Sequence, residues 1–122
     1  MVLERRAAMR QISLFEYEAE STAYDRININ ELPEAELVRM IGCAVGMNFT
    51  YRSERQEWTA KTKHMNMHVH YSHYTCRDRE GQKFISVGYD YRKDGHVGGS
   101  GSPCDTIEEA IRALKTGIER WA

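Results

Sequence analysis

The chain has 122 residues and a mass of 14.2 kDa, with 17 lysines and arginines against 18 aspartates and glutamates. This length suffices for one domain with one hydrophobic core. The formal net charge of −1 excludes a uniformly basic nucleic-acid-binding protein, although not a local basic patch. No apolar run approaches the roughly 20 residues of a membrane-spanning helix, so no membrane partner is expected. Three widely spaced cysteines, Cys43, Cys76 and Cys104, favour reduced thiols in the cytoplasm.

Residues 1–30 differ from the rest of the chain and are predicted to form an N-terminal arm, with a folded domain at 31–122. The arm mixes charges of both signs, and its apolar residues cluster at Ile12, Leu14 and Phe15. A terminal segment of this composition is typically a flexible arm.

The first predicted helix covers about residues 32–45. Pro33 suits a first helical turn, where its missing N–H costs nothing, and Gly46 suits the left-handed residue that ends a helix. Between them an apolar stripe recurs at the helical period. Its members are Leu37, Met40, Ile41, Ala44 and Val45.

The middle of the chain alternates with a period of two, which predicts antiparallel strands at 58–63, 64–75 and 83–91, with a further short extended run at 47–51. In the second strand the histidines His64, His68 and His70 share one face, and methionine and valine side chains share the other. Phe84, together with Trp58 or its neighbours, is expected on the same face as the histidines.

A glycine-rich loop over 93–105 is predicted to lead into the last helix. The helix starts with a capping box, in which Thr106 and Glu109 satisfy each other's backbone N–H groups. Gly117 interrupts this helix and costs about 1 kcal/mol relative to alanine. The apolar stripe of the helix comprises Ile107, Ala110, Ile111, Leu114, Ile118 and Trp121.

These elements predict an α+β fold in a single domain. An antiparallel three- to four-stranded sheet carries two helices packed on one face, in the order arm-α-β-β-β-α. The other face is left uncovered and partly apolar, and such a face is often buried against another chain. The chain is therefore expected to form a homo-oligomer.

The histidine face is the first candidate for chemistry. His68 and His70 project from one side of a strand, and His64 lies nearby, but a zinc site needs three or four ligands. We therefore expect a polar strand face, with no metal and no cofactor. The sequence holds no nucleophile elbow, no HExxH and no deaminase motif, so binding is favoured over catalysis.

The glycine-rich segment is the second candidate, because backbone N–H groups ahead of a helix can cradle phosphate. The ligand-binding residues predicted there are Gly98, Gly99, Ser100, Gly101 and Ser102. Arg92 or Arg112 would assist the phosphates, and a base would stack on Phe84 or Tyr91. The alternative interpretation is a flexible connection between sheet and helix.

The arm carries a five-residue resemblance. Gln11, Ile12, Ser13, Leu14 and Phe15 resemble the bacterial sliding-clamp-binding peptide. That resemblance implies that Gln11 hydrogen-bonds at a pocket rim while Leu14 and Phe15 fill an apolar groove. The alternative is that Ile12, Leu14 and Phe15 dock on the chain's own fold or on a sister subunit.

The opening MRQISLFE and the segment FISVGYDYRKDGHVGGSGSPCDTIEEAIRAL resemble small accessory proteins of Firmicutes phages, prophages and mobile elements. The resemblance implies a counter-defence role in the host cytoplasm. One such class is the anti-Thoeris signal sponge, an oligomer that sequesters cyclic ADP-ribose-type or cyclic oligonucleotide signals without cleaving them. The alternatives are an anti-CRISPR inhibitor, which acts by surface contact with a host protein, and a clamp-binding factor acting through Gln11–Phe15.

Overall fold

A computed structural model describes residues 27–122, which form two helices and one five-stranded antiparallel sheet. The strands follow one another in space in chain order, and the helices flank them in sequence. The helices are α1 (Glu34–Val45) and α2 (Ile107–Trp121). The strands are β1 (Thr50–Arg52), β2 (Glu57–Lys61), β3 (Met65–His73), β4 (Lys83–Lys93) and β5 (His96–Cys104).

The core lies between the two helices and one face of the sheet, called here the inner face. Strand residues of this face alternate with exposed ones, and apolar residues of both helices cover them. The fully buried members are Leu37, Ile41, Met65, Met67, Val69, Ile85, Val87, Ile107 and Leu114. The predicted α+β architecture, with both helices on one face, is therefore confirmed.

The helix ends follow the sequence signals. Pro33 occupies the N-cap of α1, and Gly46 ends that helix in the left-handed conformation at φ 76°. At the start of α2 the Thr106 hydroxyl accepts the Glu109 N–H, and the Glu109 carboxylate accepts the Thr106 N–H. The capping box is present as predicted. Neither helix within residues 27–122 combines the length and apolarity that crossing a bilayer requires.

The glycine-rich segment is a strand, not the loop that its composition indicates. Lys93 pairs with His96 across a two-residue turn in which Asp94 and Gly95 both have positive φ, 53° and 83°. Those angles are typical of a type I′ hairpin turn, whose twist matches that of the flanking strands. The turn folds β5 back onto β4, so the sheet has five strands instead of three or four.

Trp58 lies on the inner side of the sheet, so of the two alternatives that the sequence leaves open, its neighbours Glu57 and Thr59 share the histidine face. Its register partner on β3 is Val69, a core residue. The Trp58 Nε1–H donates to a Glu34 carboxylate oxygen at 3.1 Å, and the other oxygen accepts the Tyr71 N–H at 2.8 Å. Glu34 thus ties the first turn of α1 to two strands.

Candidate functional site

The face of the sheet that the helices leave uncovered, called here the outer face, carries most of the polar side chains of β1 to β4. Residues that alternate with the core positions define it, as the register requires. From β1 to β4 they include Thr50, Arg52, Glu57, Thr59, Lys61, Asn66, His68, His70, Phe84, Ser86, Asp90 and Arg92. With Trp58 removed from this set, the first four strands present an almost entirely polar surface.

A groove of about 740 Å³ crosses the outer face at the β1–β2 end of the sheet. Its walls come from β1, the turn after it, β2, and the facing parts of β3 and β4. Most of its lining side chains are charged or polar: Asn48, Thr50, Arg52, Glu54, Arg55, Glu57, Thr59, Lys61, Asn66, His68 and Asp90.

Three cationic side chains line this groove. Arg55 Nη1 lies 3.7 Å from Glu57 Oε2, and because the Arg55 side chain is largely exposed, solvent screens this contact. Within residues 27–122, Arg52 and Lys61 make no ion pair, and both are exposed. Their charges are therefore available to a ligand in the groove. Asp90, on the opposite wall, accepts a hydrogen bond from the Asn66 amide at 3.1 Å.

At one end of the groove, Glu57, His68 and His70 meet. A carboxylate oxygen and one nitrogen of each imidazole lie within 4.8 Å of one another. The register explains the meeting: Trp58 pairs with Val69, so the preceding β2 residue lies beside the following β3 residue. The spacing of His68 and His70 predicts that they share one face, which the structure confirms, whereas nothing in the sequence marks Glu57 as their neighbour.

His68 lies flat against the sheet because the facing residue on β4 is Gly88. A Cβ on Gly88 would overlap His68 Nε2, so any other residue there would displace the ring. His68 Nδ1 is buried and has no hydrogen-bond partner within residues 27–122. Glu57 Oε1 is 3.9 Å from it, too far for a hydrogen bond. Burial lowers the pKa of His68, although the Glu57 carboxylate opposes that shift.

His70 is held by its backbone neighbourhood. Its Nδ1 lies 2.9 Å from the Tyr71 carbonyl oxygen, so Nδ1 carries the proton and Nε2 is left as the unprotonated nitrogen. The His68 and His70 rings stack at 25° with centroids 6.0 Å apart. His64, the third histidine of the predicted face, is instead bonded through Nδ1 to the Arg92 carbonyl oxygen at 3.2 Å.

The aromatic residues that the sequence assigned to base stacking lie on opposite faces. Phe84 is on the outer face, where its ring packs against that of Tyr74 with the two centroids 4.5 Å apart. Tyr91 is on the inner side, where it stacks on Trp121 with ring centroids 3.7 Å apart and an angle of 11° between the ring planes. Tyr91 reaches this place because its partner on β5 is Gly98, whose Cβ position would be 2.5 Å from the Tyr91 hydroxyl oxygen.

The predicted phosphate cradle is likewise not assembled. Residues 98–102 lie within β5, where extended backbone pairs with β4 and its N–H groups do not converge on one point. Arg92 is on the outer face, whereas Arg112 projects from α2 beside Glu108 at 3.6 Å, above the inner face. The structure therefore does not bring these residues into one pocket. The predicted partner-binding residues Gln11, Ile12, Leu14 and Phe15 lie outside the described residues.

Cys104, the buried thiol, lies at the end of β5. Burial raises its pKa to about 11, with the nearby Glu109 and Asp105 carboxylates acting in the same direction. Such a thiol is protonated at neutral pH and is a poor nucleophile.

The comparisons with known proteins leave the site to be interpreted from its own geometry. No family model matches the chain, and no curated protein or solved structure is significantly similar to it.

Proposed function

We propose that this chain is a non-enzymatic binding protein that captures a small, phosphate-bearing ligand of the nucleotide type in the groove of the outer face. The observation that supports this proposal most directly is that two cations of that groove, Arg52 and Lys61, have no ion-pair partner among residues 27–122. Small-molecule sites typically occupy 300–1,000 Å³, roughly, and the groove volume of about 740 Å³ lies within that range.

The chemistry of the walls favours an anionic ligand that also carries hydroxyl or amino groups. Arginine and lysine side chains bind phosphate through charge-assisted hydrogen bonds. Glu54 and Asp90 would accept hydrogen bonds from ribose hydroxyls or base amino groups. A purely apolar ligand would leave these groups without partners, and that would weaken its binding.

The resemblance to phage accessory proteins makes cyclic ADP-ribose isomers and cyclic oligonucleotides the first ligands to test. The biological role that we propose is sequestration of such an immune signal in the host cytoplasm. Homo-oligomer formation stays a prediction, and its support is now the sheet edges at β1 and β5 within residues 27–122, because the outer face of β1 to β4 is almost entirely polar.

The test is calorimetric titration of the purified full-length chain with a panel of cyclic ADP-ribose isomers and cyclic di- and trinucleotides. We expect one ligand to bind with saturation. The double variant Arg52→Ala/Lys61→Ala should weaken that binding by 10-fold or more, since each charge-assisted hydrogen bond contributes about 1.5–3 kcal/mol. After heat denaturation the ligand should be recovered intact by liquid chromatography, because sequestration breaks no bond.

Arg112→Ala is the matched control, because it removes an exposed arginine that the sequence proposed but the groove does not contain. Loss of binding in Arg112→Ala with retention in the double variant would move the site to α2. Absence of binding across the panel would refute the nucleotide assignment. Recovery of a cleaved product would make the protein an enzyme and refute the sequestration mechanism.

A further inference from the structure

We infer that Glu57, His68 and His70 form a binding site for a divalent transition-metal ion, with Zn²⁺ as the best-suited cation. The sequence favoured a metal-free polar face, because the histidine strand alone supplies too few ligands. The neighbouring strand β2 supplies the third ligand, Glu57.

The distances suit a metal centre after small side-chain rotations. Tetrahedral zinc with bonds of about 2.0–2.1 Å holds its ligand atoms about 3.3–3.4 Å apart. Glu57 Oε1 and His68 Nδ1 are 3.9 Å apart, and all three ligand atoms lie within 4.8 Å. A shift of about 1 Å at the ends of these side chains therefore brings them into the coordination range. Two imidazoles and one carboxylate also form one of the donor sets that bind zinc in proteins.

The groups around the three ligands orient them as the groups around metal sites do. A metal-bound histidine commonly donates its second N–H to a backbone carbonyl, and His70 Nδ1 does so toward the Tyr71 oxygen. Arg55 lies near Glu57 Oε2, which leaves Oε1 turned toward His68. Gly88 provides the space in which the His68 ring lies against the sheet.

Among residues 27–122, His68 Nδ1 has no hydrogen-bond partner, and a polar cluster without a metal does not explain this. A buried nitrogen without a hydrogen-bond partner destabilises a fold. Glu57 Oε1 lies 3.9 Å from His68 Nδ1, beyond hydrogen-bond distance but close to the separation of two ligands on one metal. Three protein ligands leave a fourth coordination position, and Glu57 and His68 also line the groove. The ion would thus lie where its free position faces the groove.

The experiment is titration of the untagged, EDTA-treated, full-length protein with ZnCl₂, in the absence of any nucleotide. We expect one Zn²⁺ per chain. His68→Asn, His70→Asn and Glu57→Gln should each weaken binding by more than about 10-fold, since even outer-shell changes have effects of that size. His64→Asn and His73→Asn are the matched controls, because they remove histidines of the same segment that lie outside the cluster, and they should leave binding unchanged.

A second measurement on the unaltered protein removes any dependence on the folding of the variants. The chain has five histidines, so the imidazole ¹H–¹⁵N spectrum can follow each one. Zinc should shift the resonances of His68 and His70 and leave those of His64 and His73 in place. Absence of saturable binding, or equal effects on all four histidines, would overturn the inference. Because no nucleotide is present, either result is independent of the proposed ligand of the groove.

Discussion

Replacing Gly117 with alanine should destabilise this protein, although helix propensity alone predicts the opposite. Gly117 is buried in α2 where the helix crosses β4. A Cβ at this position would lie 2.5 Å from Tyr89 Cε2 and 2.6 Å from Cζ. Carbon atoms in favourable contact are about 3.5–4.0 Å apart, so the tyrosine ring or the helix must move by about 1 Å.

The magnitude follows from two opposing terms. Alanine favours the helix by about 1 kcal/mol over glycine, whereas overpacking a well-packed site costs about 1–3 kcal/mol. We therefore expect a net loss of about 1 kcal/mol, which lowers the melting temperature by roughly 3–6 °C for a chain of this size. Urea unfolding, with the slope of the transition unchanged, measures this loss directly.

The Tyr89→Ala background isolates the cause. Without the ring, the added methyl group meets no obstacle from it, and Gly117→Ala should then stabilise the protein by about 1 kcal/mol. Thr116→Ala is the control, because the exposed neighbour changes propensity without touching Tyr89, and it should have the same small effect in both backgrounds. Stabilisation by Gly117→Ala in the otherwise unaltered protein would refute the packing argument.

Three further predictions concern single groups. Glu34→Ala removes the acceptor of two hydrogen bonds between α1 and the sheet and should lower the free energy of unfolding in urea by about 2–4 kcal/mol. Glu36→Ala, at an exposed position of the same helix, is the control, and an equally small effect of both variants would contradict the role given to Glu34. Burial raises the pKa of Cys104 to about 11, so at pH 8 this thiol should react with Ellman's reagent only on unfolding. Cys43 and Cys76 are exposed, and equally fast reaction of all three thiols would refute the burial of Cys104. The Arg79 hydrogen bond at 2.7 Å holds the pKa of Asp105 below its ordinary value, so its stabilising effect is present above the ordinary carboxyl pKa and is lost as the pH falls through the folded value. Arg79→Ala should raise the pKa of Asp105 in an NMR titration, and an unchanged pKa would exclude this pairing.

The helices and the two central strands could be predicted because their own residues carry the pattern. The apolar stripe from Leu37 to Val45 has the helical period, and Met65, Met67 and Val69 alternate with polar neighbours. In both cases the residues that make the pattern are buried in the core or packed against it.

β5 could not be predicted from propensity, because glycine, serine and proline are depleted in strands. Pairing with β4 and the need for space beneath Tyr91 outweigh that preference. One local signal was available: the Asp94–Gly95 dipeptide between two extended segments is a strong hairpin marker.

The candidate site depends on register, which a single sequence specifies poorly. His68 and His70 could be placed on one face from spacing alone, but the third member of the cluster comes from another strand. A hairpin centred between Lys63 and His64 brings Glu57 opposite His70, because antiparallel partners are set by the turn that joins the strands. Parity, by contrast, can be read from one strand alone: seven residues separate Phe84 from Tyr91, the two alternatives for base stacking, and the structure confirms that they lie on opposite faces.

Side chains alternate along β2, β3 and β4, so the inner face of the sheet packs the core and the outer face contacts solvent. Residues beneath the helices stabilise the fold. Residues on the opposite face are connected to the core only through the backbone. A substitution on the solvent side can alter recognition without opening a void under α1 or α2. Substitutions in the groove of the outer face should therefore change its chemistry at little cost in folding stability.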